Sequence, residues 1–574
     1  MSHALRTRTV LLVAVVSLIA ACARDPEPQR PVEPGPGVGG APPDTTLGRP
    51  HADAEVEEFV VATGKLSEAR PVSGQLLYQR SVPGLPPGMP PATVPVDREG
   101  YEAFEDHGVL RVGEHPVSTF SIDVDSASYA NVRRFLNQGQ LPRGDAVRTE
   151  ELVNYFDYGY PEPEGDAPFA VYTEVGPSPW HPERKLLHLG LQTERRAPED
   201  VPASNLVFLV DVSGSMQAPD KLELLKASLK LLAARLRPQD RVAIAVYAGA
   251  AGIVLEPTAG DRKAEIVAAL DQLRAGGSTH GSAGIQLAYA LARQSFVEGG
   301  VNRVILATDG DFNVGTVNHE ALEELVERER EAGVALTVLG FGTGNYQDGL
   351  MQRLAQIGDG NAAYIDTLSE ARKVLVEELA ATLEIVARDV KIQVEFNPAR
   401  VAEYRLIGYE TRALEREDFA NDAVDAGEIG PGHTVTALYE LALVGEGGAL
   451  HEPLRYGDEA AARTRAGLDA ELAHLRLRYK RPGAEESTLS THPILAADVR
   501  ARLADTSDAY RFAAAAAAFG QLLRGGDYTG AFAWDDVAAL ARDARGADPW
   551  GHRGEFLGLV GTAKALTPAR VGSL

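Results

Sequence analysis

From residue 205 to about 387 the chain alternates two patterns. Short runs at 205–210, 241–247, 301–308 and 334–340 are apolar at nearly every position. Such runs read as strands buried on both faces. Between them apolar residues recur at helical spacing, as in Leu222, Leu225, Leu229, Leu232 and Leu236 along one face. Pro238 and Asp240 end that helix. Further helices are predicted over 263–273, 282–294, 319–332, 349–357 and 369–387, with a short strand over 362–365. Strands alternating with helices imply right-handed crossovers and an α/β, doubly wound, mostly parallel sheet. The functional site of such a sheet lies at the carboxyl ends of its strands.

The flanks read differently. Residues 115–135 form a strand followed by an amphipathic helix, 150–156 a short helix and 185–191 a strand. After Arg388 the period drops to two: 389–396, 403–409, 434–443 and 474–479 alternate apolar with polar, as antiparallel strands do. From Pro493 onward the pattern is helical and includes the alanine run 513–518. The expected modules are therefore 101–200, the α/β domain 201–388, an antiparallel β module 389–490 and a helical module 491–574.

The first residues read as an export signal. Arg6 and Arg8 precede an apolar stretch over 10–20, too short to span a bilayer, which takes roughly 20 apolar residues. Cys22 follows small residues and is the single cysteine of the chain. The run resembles a bacterial lipobox, in which Cys22 is lipidated and becomes the mature N-terminus. An ordinary cleaved signal is the plainer reading, but it leaves a lone thiol without a role. Ala23, not Asp, follows Cys22, which by resemblance to enterobacterial sorting rules points to the outer membrane. Residues 23–100 are rich in Pro and Gly and read as an extended tether.

Charge narrows the partners. The formal net charge is −25, and −27 once Arg6 and Arg8 are removed with the leader. That balance argues against nucleic acid, whose binding depends on clustered Lys and Arg. It does not favour an anionic membrane surface either, so membrane attachment falls to the lipid.

The candidate chemistry sits at the ends of two predicted strands and in a loop between them. Asp211, Ser213 and Ser215 stand in D-V-S-G-S, Thr279 in G-G-S-T, and Asp309 in A-T-D-G. An all-oxygen set of carboxylates and hydroxyls suits a hard divalent ion, Mg²⁺ or Mn²⁺, better than zinc or copper. Helix capping accounts for one of these residues but not for all of them. The set resembles the metal-ion-dependent adhesion site of von Willebrand factor type A (VWA) domains, D-x-S-x-S with a distant Thr and a distant Asp. That resemblance implies that Ser213 and Ser215 ligate directly, that Thr279 does so directly or through water, and that Asp211 and Asp309 lie close by. The open position then attracts a partner's acidic group, and Gly214 and Gly276–Gly277 let the loops approach.

Other runs resemble the YfbK-type family of bacterial VWA lipoproteins: S-T-F-S-I-D-V-D over 118–125, S-Y-A-N-V-R-R over 128–134, T-D-G-D-F-N-V-G over 308–315, L-I-G-Y-E over 406–410 and D-A-G-E-I-G over 425–430. The family implies the modular architecture and an envelope location, and no substrate. The expectation is a binding protein, not an enzyme: an adhesion or assembly scaffold whose protein partner supplies an acidic residue to the metal. Two alternatives stand beside it. One is a metal-dependent hydrolase in the N-terminal module, since Asp123 and Asp125 in D-V-D resemble a phosphatase nucleophile loop, although no matching downstream motif follows. The other is a structural envelope protein with a vestigial site. Trp180, Trp534 and Trp550 are expected to fill cores between modules.

Overall fold

The computed structural model describes residues 99–197, 200–277, 281–310, 319–378, 383–452 and 470–568. The leader, Cys22 and nearly all of the tether lie outside them, as does Thr279. An N-terminal segment contributes strands β1 (Leu110–Arg111) and β2 (Val117–Ser121), helices α1 (Ala127–Asn137) and α2 (Thr149–Asn154), and strands β3 (Phe169–Pro177) and β4 (Lys185–Thr193). The central segment runs β5 (Ser204–Asp211), α3 (Leu224–Arg235), β6 (Arg241–Tyr247), β7 (Ala251–Ala259), α4 (Lys263–Gln272), α5 (Gly281–Gln294), β8 (Val301–Thr308), α6 (His319–Glu331), β9 (Ala335–Phe341), α7 (Asp348–Ile357), β10 (Ala362–Ile365) and α8 (Leu368–Arg372). The last segment holds β11 (Ala387–Phe396), β12 (Val401–Ile407), β13 (Gly427–Ile429), β14 (Thr434–Leu443), β15 (Glu471–Lys480), β16 (Thr488–Leu495), α9 (Asp508–Leu523), α10 (Trp534–Asp543) and α11 (His552–Leu566).

The central sheet has strand order β10-β9-β8-β5-β6-β7, parallel except for the β6–β7 pair. Alternation along β5 shows why its sequence is apolar from Leu206 to Val210. Leu206, Phe208 and Val210 pack with Leu225, Leu229 and Leu232 of α3, while Val207 and Leu209 pack with Ile285, Ala288 and Tyr289 of α5. Both faces are dry over these five residues, which favours an apolar side chain at each of them.

Two antiparallel sheets flank this domain. One has the order β1-β12-β14-β4-β3; the other has β13-β11-β15-β16, with β2 also paired to β11. Their facing residues form one core, including Leu187, Leu189 and Leu191 of β4 against Ile392 and Val394 of β11. The segments read from the sequence as separate modules, 101–200 and 389–490, thus share both sheets. The α/β domain leaves the sandwich after β4 and returns to it at β11. Two-residue periodicity marks a strand with one buried face, but it does not identify the strand's neighbour.

Several expected elements differ. Among the described residues, the helix predicted over 369–387 is present as α8, a wider helical turn at Lys373–Glu377 and a helical Leu383, and β11 has begun by Ala387. Strand β16 occupies 488–495, where the chain was expected to turn helical at 493. It pairs with β15 alone and is largely exposed, so it carries no apolar stripe, and an edge tolerates Pro493. Edge strands β3 and β7, mostly half-buried, likewise carry no strict alternation of buried and exposed positions. The alanine run of α9 is fully buried among α2, α10, α11 and the outer face of the first sandwich sheet. Among the described residues no helix is long and apolar enough to cross a membrane.

Candidate metal centre

Strand β5 lies between β6 and β8, with parallel pairing on each side. The chain leaves β5 toward β6 and later returns on the opposite side through β8 and β9. The carboxyl ends of β5 and β8 therefore border a topological switch point, where α/β sheets open a crevice. Asp211 is the last residue of β5, and Asp309 directly follows β8. Both are fully buried.

The Asp211 carboxylate is held on both oxygens. Oδ1 accepts the Ser213 backbone N–H at 2.8 Å; Oδ2 accepts the hydroxyls of Tyr247 and Thr308, each at 3.2 Å. Burial pushes its pKa up to about 6, against the hydrogen bonds from Ser213, which lower it; the Asp309 charge adds to the rise. Ser213 is buried and Ser215 half-buried, and their Oγ atoms lie 2.9 Å apart. Adjacent ligands of an octahedral Mg²⁺ at 2.0–2.1 Å are separated by about 2.9 Å, so this hydroxyl pair fits one octahedral edge.

Backbone contacts gather the loops. Gly214 N–H donates to the Gly277 carbonyl at 3.0 Å, and Gly276 N–H to the Val212 carbonyl at 2.7 Å. The G-G-S-T loop is thereby tied to the D-V-S-G-S loop two residues before Thr279. Gly310, at φ +97°, lies so close to the loop after β9 that a Cβ there would meet the Asn345 carbonyl and the Tyr346 Cα at 2.5 Å. Asn345 Nδ2 reaches Asp309 Oδ2 at 3.5 Å.

Four of the predicted residues, Asp211, Ser213, Ser215 and Asp309, thus converge on one crevice. The structure adds participants that the sequence reading missed. Lys221 Nζ donates to Asp309 Oδ2 at 2.8 Å, with both side chains buried. Tyr247 and Thr308 orient Asp211, and Asn345 borders Asp309. Thr308 is adjacent to Asp309 in sequence, and Lys221 is a charge beside the apolar face of the following helix; both were readable as oddities. Tyr247 and Asn345 carried no local signal.

Asp123 and Asp125 are buried, each 3.2 Å from the Arg412 guanidinium. Asp125 Oδ1 also accepts the Ala362 N–H at 3.0 Å. These carboxylates fasten the N-terminal segment to β10 and to the sandwich. Trp180 is buried and packs against Phe532, while Trp550, expected in a core, is 56% exposed with the Arg372 guanidinium 4.9 Å from its ring centre. A second group of carboxylates, Asp389, Asp425 and Glu428, lies in a cleft of about 1170 Å³ that also includes residues at the amino ends of β8 and β9. Lys480 stands 2.8 Å from Asp389, and Arg330 3.7 Å from Asp425.

Comparison with known proteins finds matches to each segment of the chain. A family model described as von Willebrand factor type A domain matches residues 205–378; one described as von Willebrand factor matches 95–188. A third, described as Uncharacterized protein YfbK, C-terminal, matches 381–566. The chain is 48% identical over 474 residues to Uncharacterized protein YfbK of Escherichia coli (strain K12), covering 81% of each. It is 30% identical over 167 residues to Uncharacterized protein sll0103 of Synechocystis sp., covering 29% of this chain and 39% of that protein. Among solved structures, the von Willebrand factor type A protein from Catenulispora acidiphila covers 66% of this chain and 87% of its own, at 16% identity and a TM-score of 0.36.

Proposed function

Because the chain belongs to the YfbK family of VWA-domain proteins, we propose that it is a cell-envelope lipoprotein that binds a protein partner through a divalent ion, Mg²⁺ or Mn²⁺. A VWA domain points to protein interaction or adhesion. The observation that carries the finer reading is the Ser213–Ser215 hydroxyl pair, spaced as an octahedral edge beside two buried carboxylates at a switch point. Ser213, Ser215 and Thr279 are the residues that would hold the ion, with Asp211 and Asp309 supplying charge. When bound, the ion offers a Lewis-acidic position for an anionic oxygen, here an Asp or Glu of the partner.

The chain's own groups prepare that position. Asp211 fixes the Ser213 loop through its N–H, and Tyr247 and Thr308 fix Asp211 in turn. No nucleophile or general base is required. Lipid on Cys22 would anchor the protein, in the outer membrane by its sorting residue, and the tether would hold the folded body away from the surface.

The test is calorimetric titration of Mg²⁺ and Mn²⁺ into the full-length protein beside an Asp211→Ala/Asp309→Ala variant. Binding by the wild type that disappears in the variant is expected. Equal behaviour of the two proteins would remove the reading in favour of a structural role.

A further inference from the structure

A buried ammonium beside a metal site opposes the metal, yet the fold builds a place for one. Lys221 is 5% exposed and Asp309 is fully buried, with Nζ and Oδ2 2.8 Å apart. The lysine stem runs across Gly342, which sits at φ +72° and whose missing Cβ would collide with that stem. The Gly342 carbonyl is in turn held by the Tyr364 hydroxyl at 2.6 Å. Lys221 is therefore channelled to Asp309 by packing along its whole length.

We infer that Lys221 is a resident counter-cation of the metal centre, which neutralises Asp309 in the metal-free protein, competes with the metal for it, and leaves the loaded site with a net positive charge. This rests on the metal-site reading above. Without a cation, two buried carboxylates facing one another would repel each other with no charge of opposite sign between them, a costly arrangement. The ammonium removes that penalty and lets the empty site stay folded. The Ser hydroxyls are neutral, so Asp211, Asp309 and Lys221 together carry one negative charge. A divalent ion turns that into one positive charge, where the same cage without the lysine would be neutral. The excess selects a carboxylate over a neutral oxygen ligand.

Lys221→Met keeps the stem and deletes the charge; Lys221→Arg keeps the charge. Mn²⁺ affinity of the full-length proteins, read from free Mn²⁺ by electron paramagnetic resonance, is expected to rise at least about tenfold in Lys221→Met and to stay within a few-fold of wild type in Lys221→Arg. Wild type that binds Mn²⁺ while Lys221→Met binds it equally or more weakly overturns the inference and leaves the metal site standing. Absence of Mn²⁺ binding in wild type and Lys221→Met alike sinks both. Should Lys221→Met fold poorly, metal-free thermal unfolding of Asp309→Asn, Lys221→Met and the double variant decides the pairing. Each single variant is expected to lose several degrees that the double variant partly recovers. Strictly additive losses would overturn the counter-cation.

Discussion

Glu150 shows what one buried side chain can impose. It is 1% exposed, and neither carboxylate oxygen finds a hydrogen-bond partner in another residue. Burial, then the charges of Glu410, Asp123 and Glu151, push its pKa up to about 8. In the unfolded chain a glutamate ionises near 4.3. Between these values the folded protein keeps a proton that the unfolded chain has lost. Glu150 therefore lowers stability as pH rises from about 4.5 to 8, by up to ~1.4 kcal/mol per pH unit, and adds no further slope above that range. Glu150→Gln is expected to unfold at higher temperature than wild type at pH 8, with the gap shrinking toward pH 5. Thermal unfolding at four pH values checks this, and a pH-independent gap would contradict it. Local sequence showed a glutamate in a short helix; its isolation depends on β12's end and the D-V-D segment packing over it.

Among elements, the loops after β8 and β9 close together beside Asp309 at the proposed metal centre. Gly310 permits their close approach, both through its positive φ and because it has no Cβ. Gly310→Ala is expected to push the Asn345 loop away, displace Asp309 from its contacts and weaken Mn²⁺ binding more than tenfold. It should also cost ~1–3 kcal/mol of stability. Retained affinity with lowered stability would show that the approach serves packing alone. The elements themselves divide by burial. Strands β5, β6, β8 and β9 were legible because both faces are dry and their runs are continuous. Strands β3, β7 and β16 sit at sheet edges, where burial is graded along the strand and imposes no strict periodicity.

At the scale of the whole molecule, Arg133 joins segments far apart in sequence. From α1 its guanidinium, 1% exposed, reaches Asp366 after β10, Glu370 in α8 at 2.7 Å and Glu555 in α11 at 2.9 Å. Tyr155 donates to Glu370 at 2.8 Å and completes the cluster. Removing the cation strands two buried carboxylates, so Arg133→Met is expected to cost ~3–5 kcal/mol in chemical unfolding. Arg133→Lys should recover little, because one ammonium cannot bridge three acids in the guanidinium's fork geometry. Full recovery by lysine would show that charge alone matters there. The sandwich makes the same point about distance: β4 pairs with β14, and β2 with β11, across the entire inserted α/β domain.

The division between what the chain announces and what folding decides follows from range. Apolar periodicity and the residues ending β5 and β8 are local properties, because a strand's burial and its exit loop are written in consecutive positions. They were enough to place Asp211, Ser213, Ser215 and Asp309 at one edge of a parallel sheet. The partner of a strand edge, the counter-ion of a buried acid and the exposure of Trp550 are pairwise properties of positions tens to hundreds of residues apart. Many such pairings are compatible with the same local pattern. The choice among them falls to the packing that closes the cores and pairs most buried charges together, and that choice brought Lys221 to Asp309 and placed strands from both sides of the α/β domain in one sandwich.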